Sequence, residues 1–259
     1  MILYFSGTGN TRLAAMRLAE ALGDRCMEME VHAAAVPRLR LADDERLVWC
    51  FPIYSWGVPP VVKRYVARAE IAGADSARHF MVCTCGDDCG NADRQWRRLL
   101  RRRGWTASHA YSVQMPNTYV LMKGFDTDSP EVAAAKLKAA PSAIDAIGRA
   151  IRADSAGSYV RGSWAWIKSS VIYPWFCRFA MSPKPFHTNG GCTACGLCSR
   201  ICPTGNITMD ADGRPLWDRD CAMCLRCYHS CPRRAIRYGH ATDAKGMYLA
   251  PRSFLESRR

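Results

Sequence analysis

The chain opens with a short apolar run, Ile2 to Phe5, followed by a polar loop. Next comes a stretch whose Leu13, Met16, Leu18, Ala19 and Leu22 suit one side of a helix. This strand–loop–helix rhythm continues through the first half. Apolar runs at 26–31, 47–51, 79–84 and 107–113 predict further strands, and periodic stretches at 60–70, 91–103 and 131–153 predict helices. Strands alternating with helices predict an α/β, doubly wound, five-stranded parallel sheet that binds its ligand at the carboxyl ends of the strands. The pattern then changes. Residues 161–186 are rich in Trp164, Trp166, Ile167, Val171, Ile172, Tyr173, Trp175, Phe176 and Phe179, but Lys168, Pro174 and Arg178 interrupt them. That predicts a helical segment between domains and excludes a membrane span.

Length and charge refine this outline. The 259 residues leave room for one domain of ordinary size and one small one. We expect a first domain at 1–155, the aromatic segment at 156–186, a small domain at 187–240 and a tail at 241–259. The first strand follows Met1 directly, so no signal peptide is expected, and a reducing, cytoplasmic setting without disulfides is. The net charge is +13. Arg94, Arg97, Arg98, Arg101, Arg102 and Arg103 crowd one predicted helix, with Trp96, Leu99 and Leu100 on its buried face. A solvated face explains such a helix, and it would also steer an acidic partner. Nucleic acid ranks low, because nothing here resembles a base-reading module.

Four loops at the strand ends carry candidate chemistry. Ser6-Gly7-Thr8-Gly9-Asn10-Thr11 matches neither G-x-x-x-x-G-K-[ST] nor G-x-G-x-x-G. What it offers is a nest of backbone N–H groups at a helix start, with the hydroxyls of Ser6, Thr8 and Thr11 and the amide of Asn10. Such a nest holds a phosphate monoester without a lysine; the plain alternative is a polar turn without ligand. Pro52-Ile53-Tyr54-Ser55-Trp56-Gly57 brings two aromatics suited to ring stacking, with surface or core packing as the alternative. Thr84-Cys85-Gly86-Asp87 follows the fourth strand. Met115-Pro116-Asn117-Thr118-Tyr119, after the fifth, contributes Asn117 and Tyr119. Cys83, Cys85 and Cys89 fit no common metal signature. Cys83 is expected in the core, Cys85 and Cys89 are candidate thiols beside the ligand, and Cys26, Cys50 and Cys177 read as packing residues.

The strongest pattern lies near the C-terminus. Cys192, Cys195, Cys198 and Cys202 precede Pro203, and Cys221, Cys224, Cys227 and Cys231 repeat that spacing before Pro232. Ile207 maps onto Ile236 by the same offset. The C-x₂-C-x₂-C-x₃-C-P run written twice resembles two-cluster bacterial ferredoxins. Zinc or a disulfide framework is the alternative, although zinc favours paired C-x₂-C ligands and needs no third cysteine at the next interval. The resemblance implies that the fourth cysteine of each run crosses to the other cluster. The ligand sets would be Cys192, Cys195 and Cys198 with Cys231, and Cys221, Cys224 and Cys227 with Cys202. The implied domain is small, α+β and organised by its clusters.

S-G-T-G-N-T directly after the first strand likewise resembles the flavodoxin phosphate loop for FMN. In flavodoxins the loop after the fourth strand often supplies an aromatic; here Cys85 stands there, and the 115–119 segment would cover the ring instead. Nearly the whole chain is thus similar to ferredoxins with a fused N-terminal flavodoxin-like domain. That family implies FMN and two [4Fe-4S] clusters on one polypeptide. The leading expectation is a relay between clusters and FMN, and to or from a redox partner protein such as an acidic ferredoxin or flavodoxin. One rival is an FMN-dependent reductase of a small-molecule substrate, with Asp87, Asn117 and Tyr119 as binding or proton-delivering candidates and no assigned catalytic residue. The other is a ferredoxin carrying an FMN-free docking domain. For residues 161–186 the alternatives are interdomain packing, a partner-docking surface and peripheral membrane contact.

Overall fold

The computed structural model describes residues 1–32 and 38–251. The first half comprises β1 (Ile2–Tyr4), α1 (Asn10–Leu22), β2 (Cys26–Glu28), β3 (Arg38–Arg40), β4 (Leu47–Pro52), α2 (Pro60–Arg68), β5 (Glu70–Ala72), β6 (His79–Cys85), α3 (Ala92–Arg102), β7 (Ala107–Gln114) and α4 (Pro130–Arg152). Five strands form an all-parallel sheet in the order β2-β1-β4-β6-β7, the doubly wound arrangement the alternating pattern predicts. Helices cover both faces, so the central strands read as nearly unbroken apolar runs, and alternation sorts their side chains. Leu3, Trp49, Phe51, Met81 and Cys83 face Val62, Tyr65, Trp96 and Leu100 of α2 and α3. Ile2, Tyr4, Val48, Cys50, Phe80 and Val82 face Leu13 and Leu18 of α1 and Ile144 and Ile147 of α4.

Two departures from the sequence expectation have local causes. The strand expected at 26–31 stops at Glu28, because its sole partner, β1, ends at Tyr4. The Met29 N–H still donates to the Tyr4 carbonyl (2.7 Å), and Met29 and Val31 then enter the core. The helix expected at 60–70 ends at Arg68, where Ala69 turns extended. The chain then forms β5, which pairs in parallel with β3 outside the main sheet.

The second half begins with α5 (165–180), which includes π-helical turns at Lys168–Ile172 and Phe176–Ala180. Then follow β8 (Phe186–Thr188), α6 (Leu197–Arg200), β9 (Ile207–Met209), β10 (Pro215–Trp217), α7 (Arg226–Ser230) and β11 (Ile236–Tyr238). β8 pairs antiparallel with β11, and β9 with β10. The internal repeat is visible in the backbone. Ala194, Gly196 and Gly205 have positive φ, and so do their repeat equivalents Met223, Leu225 and Arg234. The Asn206 N–H donates to Cys202 Sγ just as Ala235 N–H donates to Cys231 Sγ, both at 3.3 Å.

The two halves interpenetrate. Ala222 is buried among the residues between the sheet and α2/α3, while Val120 and Leu121 are buried with Phe186, Met223, Tyr228 and Ile236. Of the tail expected at 241–259, residues 252–259 lie outside the described residues. The described part folds back over the first half, with the Ala250 N–H donating to the Thr8 carbonyl at 3.0 Å. Among the described residues, no helix is long and apolar enough to cross a membrane.

Candidate functional site

A cavity of about 590 Å³ opens where β1, β4, β6 and β7 end. That is within the range of small-molecule and cofactor sites, roughly 300–1,000 Å³. Of the expected ligand-binding residues, Ser6, Gly7, Thr8, Asn10 and Thr11 line it from the first loop. Pro52, Ile53, Tyr54, Ser55 and Trp56 line it from the second, Thr84, Cys85, Gly86 and Asp87 from the third, and Asn117 and Tyr119 from the loop after β7. Gly9 and Gly57 are not in the wall. Gly9 sits at the N-cap of α1 with positive φ, beneath Ala250, and Gly57 lies against the Tyr173 ring, where a Cβ would collide.

The phosphate-loop side chains mostly hold the loop itself. Ser6 Oγ accepts from Gly9 N–H (3.2 Å), and Thr11 Oγ1 bonds Thr84 Oγ1 (2.7 Å). The Asn10 amide donates to the Pro116 carbonyl and accepts from Tyr248 Oη. The cradle is therefore largely backbone: the first-turn amides of α1 have no carbonyl a turn earlier, and they open at the cavity. Close approach requires glycine at two other points. A Cβ on Gly7 would collide with the Cys224 carbonyl, and one on Gly86 would collide with the Asn117 side chain. Asn117 is fixed from behind, its backbone and side-chain N–H groups both donating to Asp128 at 3.0 Å. Lys136 also donates to Asp128 (2.7 Å), and against the effect of burial these bonds hold that carboxyl below its ordinary range.

Tyr54-Ser55-Trp56-Gly57 forms a tight turn, with reciprocal hydrogen bonds between Tyr54 and Gly57. Ser55 and Trp56 both take positive φ, a conformation disfavoured for side chains of their size. Helix α5 clamps this turn: Ser169 Oγ donates to the Trp56 carbonyl (2.8 Å), and Tyr173 packs on Gly57. Lys168 lies 5.1 Å above the Trp56 ring and pairs with Asp88 (2.6 Å). The Tyr54 hydroxyl is buried without a hydrogen-bond partner. Burial pushes its pKa well up, with Cys224 and Cys221 adding to the rise. Cys83, Cys85 and Cys89 are all buried. Cys83 and Cys89 place their sulfurs 3.5 Å apart within the core, and Cys85 reaches the cavity.

Cys192, Cys195 and Cys198 of the first run line a hollow together with Cys231 and Cys227 of the second. In the second run, burial lifts the Cys221 thiol to about 12, and Cys224 and Cys202 raise it further. Cys224 and Cys227 are likewise raised mainly by burial, with Cys202 contributing to both. The fourth cysteine of the second run, Cys231, thus stands beside the first run. Backbone N–H groups point at the sulfurs of Cys202, Cys221 and Cys231, the donation that cluster thiolates take up. Among the described residues, no three His, Cys, Asp or Glu side chains converge on a point suited to one metal ion. The donor set and its amides fit iron–sulfur clusters, and the glycine-lined cavity with its open helix terminus fits a phosphorylated aromatic cofactor.

The second cysteine run also belongs to the cavity, which Met223, Cys224 and Leu225 help to line. Sequence reasoning missed the residues that make this junction. Arg226 donates to the Ser6 carbonyl and pairs with Glu28. His229 bonds the Thr118 carbonyl through Nε2 (2.9 Å) and accepts the Tyr248 N–H at Nδ1 (3.0 Å). Burial lowers its pKa to about 4, so the ring is neutral.

Residues 1–118 match the family described as Flavodoxin domain, and residues 191–236 match the 4Fe-4S dicluster domain. Among solved structures the chain is similar to the Trp repressor binding protein from Bacillus subtilis, at 11% identity over 56% of this chain and 96% of that one, TM-score 0.35. It is also similar to azoreductase AzrA, at 12% identity over 56% of this chain and 98% of that one, TM-score 0.35. No curated protein matches it in sequence.

Proposed function

This chain joins a flavodoxin domain to a 4Fe-4S dicluster domain, and we propose that it is an electron-transfer protein holding FMN in the cavity and two [4Fe-4S] clusters on the eight repeat cysteines. Such clusters pass single electrons, whereas a flavin can take one or two, so together they form a relay to or from a partner redox protein. The observation that carries this reading is the shared wall: Cys224, a cluster-ligand candidate, lines the same cavity as the phosphate and aromatic loops.

The chain's own residues would divide the work. The amides of the first loop and the hydroxyls of Ser6 and Thr8 would hold the phosphate. Tyr54 and Trp56 would flank the ring, with Trp56 locked by Ser169. Asn117, fixed by Asp128, would meet its polar edge over Gly86. Cys192, Cys195, Cys198 and Cys231 would hold one cluster, and Cys221, Cys224, Cys227 and Cys202 the other. Arg226 and His229 keep the halves in register and so fix the separation between sites.

The test is anaerobic stopped flow on the loaded protein after partial reduction of its iron–sulfur absorbance. Flavin and iron–sulfur signals should re-equilibrate at a rate independent of protein concentration. No exchange, or exchange that accelerates with concentration, would refute an intramolecular relay. One observation favours a second reading, a small-molecule reductase: the cavity continues beyond the loops to Met122, Gly124, Phe125 and Phe176. Turnover that saturates with a small oxidant in the absence of any protein partner would select that reading.

A further inference from the structure

Helix α5 leaves one whole side uncovered. Ser169, Tyr173 and Phe176 face inward, and hydrogen bonds from Ser169 Oγ to Trp56 and from Tyr173 Oη to Val58 fix the helix about its axis. On the outer side Trp164, Trp166, Val171, Trp175 and Phe179 are 74%, 65%, 52%, 51% and 64% exposed. With Ile167 and Ile172, this helix and its N-cap Trp164 carry seven of the twelve large apolar side chains exposed among the described residues. Scattered apolar residues need no explanation, but so many on one short segment do.

The segment that carries these side chains is basic in sequence. No Asp or Glu occurs between Asp154 and Asp210, a span that contains Arg161, Lys168, Arg178, Lys184 and Arg200. Arg161 and Lys168 are paired inward with Asp93 and Asp88, whereas Arg178 is exposed beside Phe179. Lys184, just beyond the helix, is exposed as well.

We infer that this face docks on the surface of an anionic lipid bilayer. Tryptophans prefer the headgroup level, and an amphipathic helix lying in that plane buries its apolar side about 5–10 Å deep while Lys and Arg meet anionic lipid. A sixteen-residue helix is about 24 Å long, enough to lie along the surface. Three of the four exposed rings are tryptophans, the side chain enriched at the membrane–water interface. Docking in this pose sets the cavity wall formed by Lys168 and Phe176 about one helix diameter, roughly 10 Å, from the lipid.

The experiment is flotation of the cofactor-loaded full chain, kept anaerobic, with vesicles of phosphatidylcholine alone or mixed equally with phosphatidylglycerol. The protein should float with the mixed vesicles, bound about tenfold more tightly than to phosphatidylcholine, and high salt should weaken the binding. Trp166→Ser/Trp175→Ser/Phe179→Ser should abolish flotation while leaving the cofactor absorbance intact. Arg178→Glu/Lys184→Glu, which alters two exposed positions, should remove the preference for anionic lipid. Wild-type protein left at the bottom of the gradient, or flotation equal in the wild type and both variants, would overturn the inference. So would a stripe covered by a second copy, seen as a dimer that the triple serine variant dissociates and that does not float. Salt-sensitive binding of a purified acidic ferredoxin, lost in the triple variant and without flotation, would reassign the face to a protein.

Discussion

Tyr54 stands in the cavity wall that Cys224 also lines, and its hydroxyl is buried without a partner. An orphan hydroxyl burdens the empty protein but can serve a cluster, whose sulfurs accept hydrogen bonds. Tyr54→Phe should therefore leave the apoprotein as stable or slightly more so. It should also lower one cluster potential by roughly 40 mV, the equivalent of about 1 kcal/mol at 59 mV per tenfold; redox titration followed by electron paramagnetic resonance reads the shift. Gly7→Ala tests the shared wall, because the new methyl must displace the Cys224 carbonyl. It should destabilise the protein by about 1–3 kcal/mol and loosen flavin and one cluster together. The cysteines were legible in the sequence because cluster geometry dictates their spacing. Arg226, His229 and Tyr248 were not, because their partners lie on distant loops that only the fold brings near.

At the scale of elements, the strands and helices of the sheet were legible because each buries a patterned face. The β3–β5 pair was not, since three-residue strands with mostly exposed side chains carry no pattern. The start of β1 is pinned by charge: Glu45 lies 3.0 Å from the Met1 ammonium and 2.8 Å from Arg25. Against burial, these bonds hold its pKa at about 2 instead of 4.5. A carboxylate with a depressed folded-state pKa stabilises above its unfolded pKa, and that stabilisation fades as pH falls through the folded one. The denaturation midpoints of wild type and Glu45→Gln should therefore differ at neutral pH and converge between about 4.5 and 2. A constant difference would remove the charge from the explanation. The tail acts on the phosphate loop through Tyr248 and Asn10. Tyr248→Phe should raise the flavin dissociation rate about fivefold, the effect of one net hydrogen bond, measured by flavin fluorescence on dilution.

At the scale of the molecule, the two halves read as separate domains in sequence, but each contributes to the other's core. Ala222 enters the first, and Val120 and Leu121 enter the second. Arg64–Asp220 and Arg226–Glu28 cross the same boundary. Two cysteine runs and a phosphate loop could announce both chemistries, but not that Cys224 would border the cavity, because that follows from a tertiary contact. The most direct check is to purify the chain anaerobically and quantify iron, sulfide and FMN per polypeptide. The account predicts about eight irons, as many sulfides, and one FMN. Eight irons with no flavin, in protein whose cavity also refuses added FMN, would contradict it and leave a ferredoxin with a docking domain.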